Sequence, residues 1–279
     1  MNVTGHTAVY GVLGHPVAHS RSPAMQIAAF EACGIDAVYV ALPVQPERIE
    51  EALKGAHALG FQGLNVTVPH KQRAAAACVT LDPIAREIGA ANTLRRTALG
   101  WEGFNTDAPA CRALLDAAGM KAGARALVVG AGGAARAAVW ALLQAGAHVR
   151  IASRRPDSAD GLARESAAWI RDPRVRVEPA AFGALEAEAA GCDVVVNATP
   201  IGLTADQGLP VTLRSDQLVV DFVYGETAFE VAAREAGAHL VSGEEILVRQ
   251  GAIAFSVWTG RPAPEAAMAA AVAAGGKVT

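Results

Sequence analysis

Long apolar runs are missing from this 279-residue sequence. No stretch approaches the roughly 20 consecutive apolar residues that span a bilayer, which excludes a helical membrane protein. A basic excess is missing too, since 24 Lys and Arg face 27 Asp and Glu for a formal net charge of −3. With no polybasic block, that balance argues against a nucleic-acid or membrane-surface partner. Four cysteines occur, Cys33, Cys78, Cys111 and Cys192, and no C-x-x-C joins them. They are expected to be reduced and buried, packing as small hydrophobes. His15 and His19 are four apart, but Gly14 and Pro16 deny them a shared helix face. No third ligand follows at metal-site spacing, so no metal is expected. The opening Met1-Asn2-Val3-Thr4-Gly5 lacks a basic stretch followed by an apolar one. The expectation is therefore a cytoplasmic protein without a signal peptide. Neither a solenoid-period repeat nor a low-complexity linker is visible.

What is present is a strand-helix rhythm. Hydrophobic residues make up 52% of the chain, enough for a substantial core. Strands are expected at 8–14, 38–43 and 64–68, and helices at 23–33 and 46–59. Residues 90–107 suggest a hairpin turning near 98–100. A helix over about 108–118 follows. From Arg125 the rhythm restarts with the apolar run Ala126-Leu127-Val128-Val129, as a strand buried on both faces requires. Further strands fit 148–153, 174–177, 193–197, 218–223 and 239–241, and helices fit 134–145, 244–257 and 265–274. The fold class is α/β: an N-terminal α/β substrate domain over 1–107 and a doubly wound, Rossmann-type dinucleotide domain over 108–242. The helices of 243–279 are expected to return to the first domain.

Gly130-Ala131-Gly132-Gly133-Ala134-Ala135 follows a strand and opens a helix. In a G-x-G-x-x-A turn the first glycine makes the tight bend and the second admits a pyrophosphate. The small third residue lets helix and strand pack closely. Helix-start N–H groups then face the phosphates. At the end of the next strand stands Ser153-Arg154-Arg155, where an NAD site usually carries an acid. Two guanidinium groups suit a 2′-phosphate, which favours NADP. Asp157 lies close enough to keep NAD as the alternative.

Four polar clusters punctuate the first domain. His19-Ser20-Arg21-Ser22-Pro23 puts two hydroxyls at the mouth of a helix, suited either to a carboxylate or to a plain cap by Ser22. Asn65 and Thr67 are two apart on an expected strand, and so share one face opposite Val66 and Val68. Lys71 follows, and Asn92 and Asp107 complete the set. Taken singly, each is an ordinary turn residue. A nicotinamide enzyme acting on an alcohol, however, needs a group that takes the hydroxyl proton as hydride leaves. Neither Tyr-x-x-x-Lys nor a zinc site supplies it here, which leaves Lys71 and Asp107 as candidates for such a pair.

In order along the chain stand HSRSP (19–23), NVTVPHK (65–71), GAANTL (89–94), GFNTD (103–107), GAGGAAR (130–136), SRR (153–155), NATPIG (197–202), DFVYG (221–225) and RQGAIAFSVWTG (249–260). Together they resemble the shikimate dehydrogenase family nearly end to end. The resemblance implies reversible, NADP-linked oxidation of the ring 3-hydroxyl of shikimate, within aromatic amino-acid biosynthesis. It implies Lys71 and Asp107 as the catalytic pair, and Ser20 and Ser22 on the substrate carboxylate with Tyr224 nearby. Asn65, Thr67, Asn92 and Gln250 would serve the ring hydroxyls or neighbouring groups. Thr199, Val223 and Gly243 would join the glycine turn and Ser153-Arg154-Arg155 around the cofactor. Gly225 and Ile246 stand where the family often has Pro and Met. Arg-Arg with a nearby Asp also resembles the NAD-using quinate/shikimate branch, which stays as the alternative. A non-catalytic dinucleotide sensor would have no use for Lys71 and Asp107. The expected partner is a small molecule, and the expected assembly a monomer or homodimer.

Overall fold

The computed structural model describes residues 3–202 and 208–275. The chain divides into two compact units. One is built from residues up to Thr106 and from Leu247 onward, and the other is Asp107–Ile246. The first holds β1 (Ala8–Gly14), α1 (Ser22–Ala32), β2 (Ala37–Pro43), α2 (Ile49–Ala58), β3 (Gly63–Val66), α3 (Lys71–Ala77), β4 (Thr80–Leu81), α4 (Pro83–Ile88), β5 (Thr93–Thr97) and β6 (Gly100–Phe104). The second holds α5 (Asp107–Ala117), β7 (Arg125–Val129), α6 (Gly133–Gln144), β8 (His148–Ser153), α7 (Pro156–Ser166), β9 (Val177–Ala181), α8 (Leu185–Ala190), β10 (Val194–Asn197), β11 (Leu218–Asp221), α9 (Ala228–Glu235) and β12 (His239–Val241). Then α10 (Gly243–Thr259) crosses the boundary, and α11 (Glu265–Gly275) follows in the first unit.

The first sheet runs β2-β1-β3-β5-β6-β4. Its β2, β1 and β3 are parallel, and the β5–β6 hairpin adds to β3 antiparallel. The hairpin turns where the sequence places it. Against this unit's sheet and α1 lies the C-terminal helix pair: the Gln26 Nε2 donates to the Gly251 carbonyl (3.0 Å) and the Trp258 indole N–H to the Leu94 carbonyl (2.9 Å).

The second sheet is wholly parallel, in the order β12-β11-β10-β7-β8-β9. Successive residues of its strands feed two cores. Ala126, Val128, Val194 and Val196 pack with Ala135, Ala138 and Leu142 of α6. Leu127, Val129 and Val195 pack with Leu185 of α8 and Phe229 and Ala233 of α9. This alternation makes a doubly wound sheet, whose strand order reverses between β7 and β10. Ligands in such sheets sit at the carboxyl ends of the strands flanking that reversal.

Three expectations need correction. The strand expected at 174–177 is β9, Val177–Ala181. Arg174 instead turns back on Asp172, and β9 is an edge strand that tolerates Pro179. The strand expected at 64–68 ends at Val66, so Val68 does not face the core but is 48% exposed. Residues 46–48 form a 3₁₀ turn ahead of α2. Helices α3, α4, α8 and α9, none longer than 8 residues, are too short to stand out by periodicity, and α7, as long as α1, is not among the expected helices either. Of the cysteines, Cys111 and Cys192 are buried while Cys33 and Cys78 are half-buried. Burial pushes the Cys111 thiol up to about 12, so no thiolate forms there near neutral pH. No helix among the described residues is long and apolar enough to cross a membrane.

Candidate active site

The nucleotide side is built at the carboxyl edge of the parallel sheet. Gly130 turns with φ +125°, and a Cβ there would sit 2.7 Å from the Ala198 carbonyl oxygen. Glycine is thus required by both backbone angle and space. Gly132 is extended and caps α6, and a Cβ there would meet nothing within 4 Å. That opening is what a pyrophosphate needs to reach the N–H groups of Gly133 and Ala134 in the first turn. Ala135 is fully buried and Ala131 and Ala134 pack on the same core. Arg136 is turned away, ion-paired to Glu165 with its guanidinium 5.6 Å from the Trp169 ring centroid.

At the end of β8, the Ser153 Oγ accepts from the Arg155 N–H (3.4 Å). Arg154 and Arg155 are both exposed. Among the described residues neither guanidinium is in an ion pair, which leaves both available to a 2′-phosphate. Asp157 is in the first turn of α7, where a negative charge suits the positive end of the helix. The donors present therefore fit NADP.

Three further segments complete this edge. In the 197–202 loop, Thr199 donates its hydroxyl to Asn197 Oδ1 (2.7 Å) and accepts from the Ile201 N–H (3.1 Å). Val223 is buried, and Tyr224 beside it half-buried. Gly243 begins α10 with its Cα against that turn, since a Cβ would lie 2.2 Å from the Val223 carbonyl oxygen. Beneath them sits Asp221, fully buried. Burial pushes its carboxyl up to about 6, even though Val223 N–H, the Thr227 hydroxyl and Asn197 all donate to it.

That shift has a sign. A carboxyl raised from 3.8 to about 6 binds its proton more tightly in the folded than in the unfolded state. Its favourable contribution is present below pH 4 and is lost as pH rises through 6. Relative to Asp221→Asn, wild-type unfolding free energy is therefore expected to fall by about 2–2.5 kcal/mol between pH 4 and pH 7. Urea titrations across that window check it, and a pH-independent difference would refute it.

Most of the residues expected to serve the substrate belong to the first unit, whereas Asp107 and Tyr224 belong to the second. Ser22 is the first residue of α1, and the N-cap position falls on Arg21, without a side-chain capping bond to the helix. The plain-cap reading of Ser22 is thus incorrect. Instead the Ser20 Oγ accepts from the Ser22 N–H (3.3 Å). Among the described residues, neither the Ser22 nor the Thr67 hydroxyl has a hydrogen-bond partner, so both can address a ligand. Asn65, Asn92 and Gln250 are different. The Tyr39 hydroxyl donates to Asn65 Oδ1 (2.7 Å), while Asn65 Nδ2 donates to the Asn92 carbonyl (3.1 Å) and to Thr93 Oγ1 (3.0 Å). Asn92 Oδ1 accepts from the Thr106 N–H (2.7 Å), and its Nδ2 donates to Thr106 Oγ1 (2.9 Å) and Gln250 Oε1 (3.3 Å). Gln250 in turn donates to the Leu247 carbonyl (2.9 Å). One buried network therefore joins three of the expected residues with Tyr39, Thr93 and Thr106, which sequence reasoning missed. Thr93 and Thr106 adjoin Asn92 and Asp107 in the quoted motifs, and that adjacency was the available signal. Nothing in the sequence marks Tyr39.

Lys71 is half-buried at the first position of α3, and Asp107 is buried at the first position of α5. His70, before Lys71, is fully buried with its Nε2 2.9 Å from the Val44 carbonyl oxygen. Burial lowers its pKa, and the neutral ring tethers the approach to Lys71 to the segment after β2.

A glycine turn at a strand-order reversal, with an adjacent pair of exposed arginines, defines a dinucleotide-dependent protein. A hydroxyl- and amide-lined unit bearing a helix-start lysine makes it a candidate oxidoreductase of polar substrates. Comparison with known proteins agrees. Residues 12–94 match the shikimate dehydrogenase substrate binding domain, 120–207 an NAD(P)-binding family, and 243–273 the shikimate 5′-dehydrogenase C-terminal domain. A shikimate dehydrogenase (NADP(+)) from Anaeromyxobacter sp. (strain K) is 64% identical over 274 residues, covering 98% of each chain. The shikimate 5-dehydrogenase of Thermus thermophilus, solved with NADP(H) and shikimate, superposes with a TM-score of 0.83 at 34% identity, covering 96% of this chain and 100% of that one. A quinate dehydrogenase from Corynebacterium glutamicum, solved with NAD, gives a TM-score of 0.85 at 28% identity, covering 96% and 99%. The chain belongs to the shikimate dehydrogenase family.

Proposed function

We propose that this protein is an NADP-dependent oxidoreductase that interconverts shikimate and 3-dehydroshikimate in aromatic amino-acid biosynthesis. The 64% identity to an NADP-dependent shikimate dehydrogenase over 98% of both chains carries this reading. Bound NADP would supply the hydride acceptor for oxidation of the 3-hydroxyl, held by the Gly130–Ala135 turn and by Arg154 and Arg155. Lys71 takes the proton of that hydroxyl in the oxidative direction and returns it in the reductive one, with the Asp107 carboxylate as its partner. Ser20 and Ser22 donate to the substrate carboxylate, with Tyr224 beside it. Thr67, with Asn65, Asn92 and Gln250, orients the ring hydroxyls. The protein works in the cytoplasm as a monomer or homodimer on a small molecule, without a nucleic-acid partner.

Initial rates with shikimate and with quinate, each with NADP and with NAD, test the proposal. Preference for shikimate with NADP is expected. Comparable quinate oxidation with NAD would instead place the chain with the quinate/shikimate branch, a reading that Asp157 and the likeness to the quinate enzyme support. Replacing both Arg154 and Arg155 by Ala is expected to raise KM for NADP about 10- to 100-fold, the loss of charge-assisted bonds to one phosphate. KM for NAD should barely change. An equal rise for both cofactors would remove the arginines from 2′-phosphate recognition.

A further inference from the structure

Asn197 and Asp221 lie in the family motifs NATPIG and DFVYG, yet the cofactor and substrate roles above leave both unassigned. They are opposite each other on the neighbouring strands β10 and β11, at the carboxyl edge, and both are wholly buried. The hydrogen bonds of Asn197 can be counted to completion. Asn197 Oδ1 accepts from the Thr199 N–H (3.2 Å) and hydroxyl (2.7 Å), while Nδ2 donates to the Ile201 carbonyl (2.9 Å) and Asp221 Oδ1 (2.9 Å). An Asn amide has two acceptor sites and two N–H groups, so nothing remains for a ligand. Asp221 Oδ1 also accepts from the Val223 N–H (3.0 Å), and Oδ2 from the Thr227 hydroxyl (2.7 Å).

The chain of bonds continues. Thr227 Oγ1 accepts from the Glu230 N–H (3.0 Å), capping α9. Glu230, buried, reaches the Gly243 N–H with Oε1 (3.3 Å) and Arg234 with Oε2 (2.9 Å). Thr199, Val223 and Gly243 come from three separate segments of the chain, and each is bonded into this network.

We propose that Asn197, Asp221, Thr227 and Glu230 are positioning residues that fix Thr199, Val223 and Gly243 as one wall of the cofactor site. Asn197 sets the loop after β10. Asp221 sets the turn after β11. Thr227 and Glu230 tie that turn to the start of α10. This rests on the reading that the wall faces NADP. A bidentate hub at paired strand ends converts the rigidity of the sheet into placement of three loops.

Thr227→Val keeps side-chain volume and removes the hydroxyl that joins Asp221 to α9. Its dissociation constant for NADP, measured by calorimetry on folded protein, is expected to rise about tenfold. KM for shikimate should rise less than the NADP dissociation constant, because of the residues assigned to the substrate only Tyr224 stands on the turn that this network holds. Thr227→Ser should restore NADP affinity, and Asp221→Ala should repeat the loss more strongly. A lowered melting temperature with unchanged NADP affinity in Thr227→Val and Asp221→Ala would overturn the inference and leave the network a fold-stabilising one. If wild type binds NADP but does not turn over shikimate, the reaction assignment fails, whereas the affinity comparison still decides the positioning role.

Discussion

Lys71→Ala is expected to fold, to bind NADP with wild-type affinity, and to lose turnover of shikimate by about 10²- to 10⁴-fold, the range assigned to a positioned proton-transfer group. The structural argument comes from where the lysine sits. It is the first residue of α3, where the positive end of the helix favours an acid and disfavours a cation. Helix chemistry therefore gives no reason for a lysine there, and removing it should change stability by no more than about 1 kcal/mol. A residue that breaks such a local rule is one to suspect of function. Asp107 is the reverse case, an acid that the start of α5 favours in its own right. Single-turnover rates with saturating NADP, beside a thermal melt, check the prediction. A variant that turns over shikimate at near wild-type rate would remove Lys71 from proton transfer.

Gly243→Ala is expected to damage both stability and catalysis. The added Cβ would lie 2.2 Å from the Val223 carbonyl oxygen, 2.5 Å from its carbon and 2.7 Å from the Tyr224 nitrogen. All three are backbone atoms, so no side chain can rotate aside. The turn must retreat by about 1 Å, at an overpacking cost of about 1–3 kcal/mol. A displacement of that size near reacting groups can cost about 10²-fold in kcat/KM. Gly132→Ala supplies the contrast. Its Cβ meets nothing within 4 Å, so the melting temperature should hold while KM for NADP rises, because the methyl takes the space of the pyrophosphate. Melting curves and KM values for the two variants check the pair. Equal melting temperatures for Gly243→Ala and wild type would refute the clash.

The sequence exposes the nucleotide side more fully than the substrate side, for a physical reason. Strands such as β7 and β10 are buried on both faces and show as unbroken apolar runs, and a glycine turn after such a strand has few alternatives. The substrate side depends on pairings across the chain. Tyr39 meets Asn65 and Asn92 meets Gln250, 26 and 158 residues apart, and no local pattern announces either. Singly, those asparagines look like turn residues. It was the ordered motifs that brought them out, while the structure shows which of their polar atoms are already committed. Glu230 gave no signal at all. It lies on the eight-residue helix α9, and its importance appears only once the Gly243 N–H is seen to need an acceptor.

The first unit is interrupted in the chain by the whole of the second, and this orders events at the ribosome. Gly63 of β3 is a glycine because the Trp258 ring lies where a side chain would start, and Gly251 has the end of the Met25 side chain of α1 packed against it. Until those C-terminal residues emerge, β3 and α1 have an uncovered apolar side. The second unit, complete at Ile246, has no such wait. The half of the protein that is translated first is therefore the last to finish folding. A nascent chain passes through a stage in which its N-terminal sheet is the surface that chaperones and proteases meet.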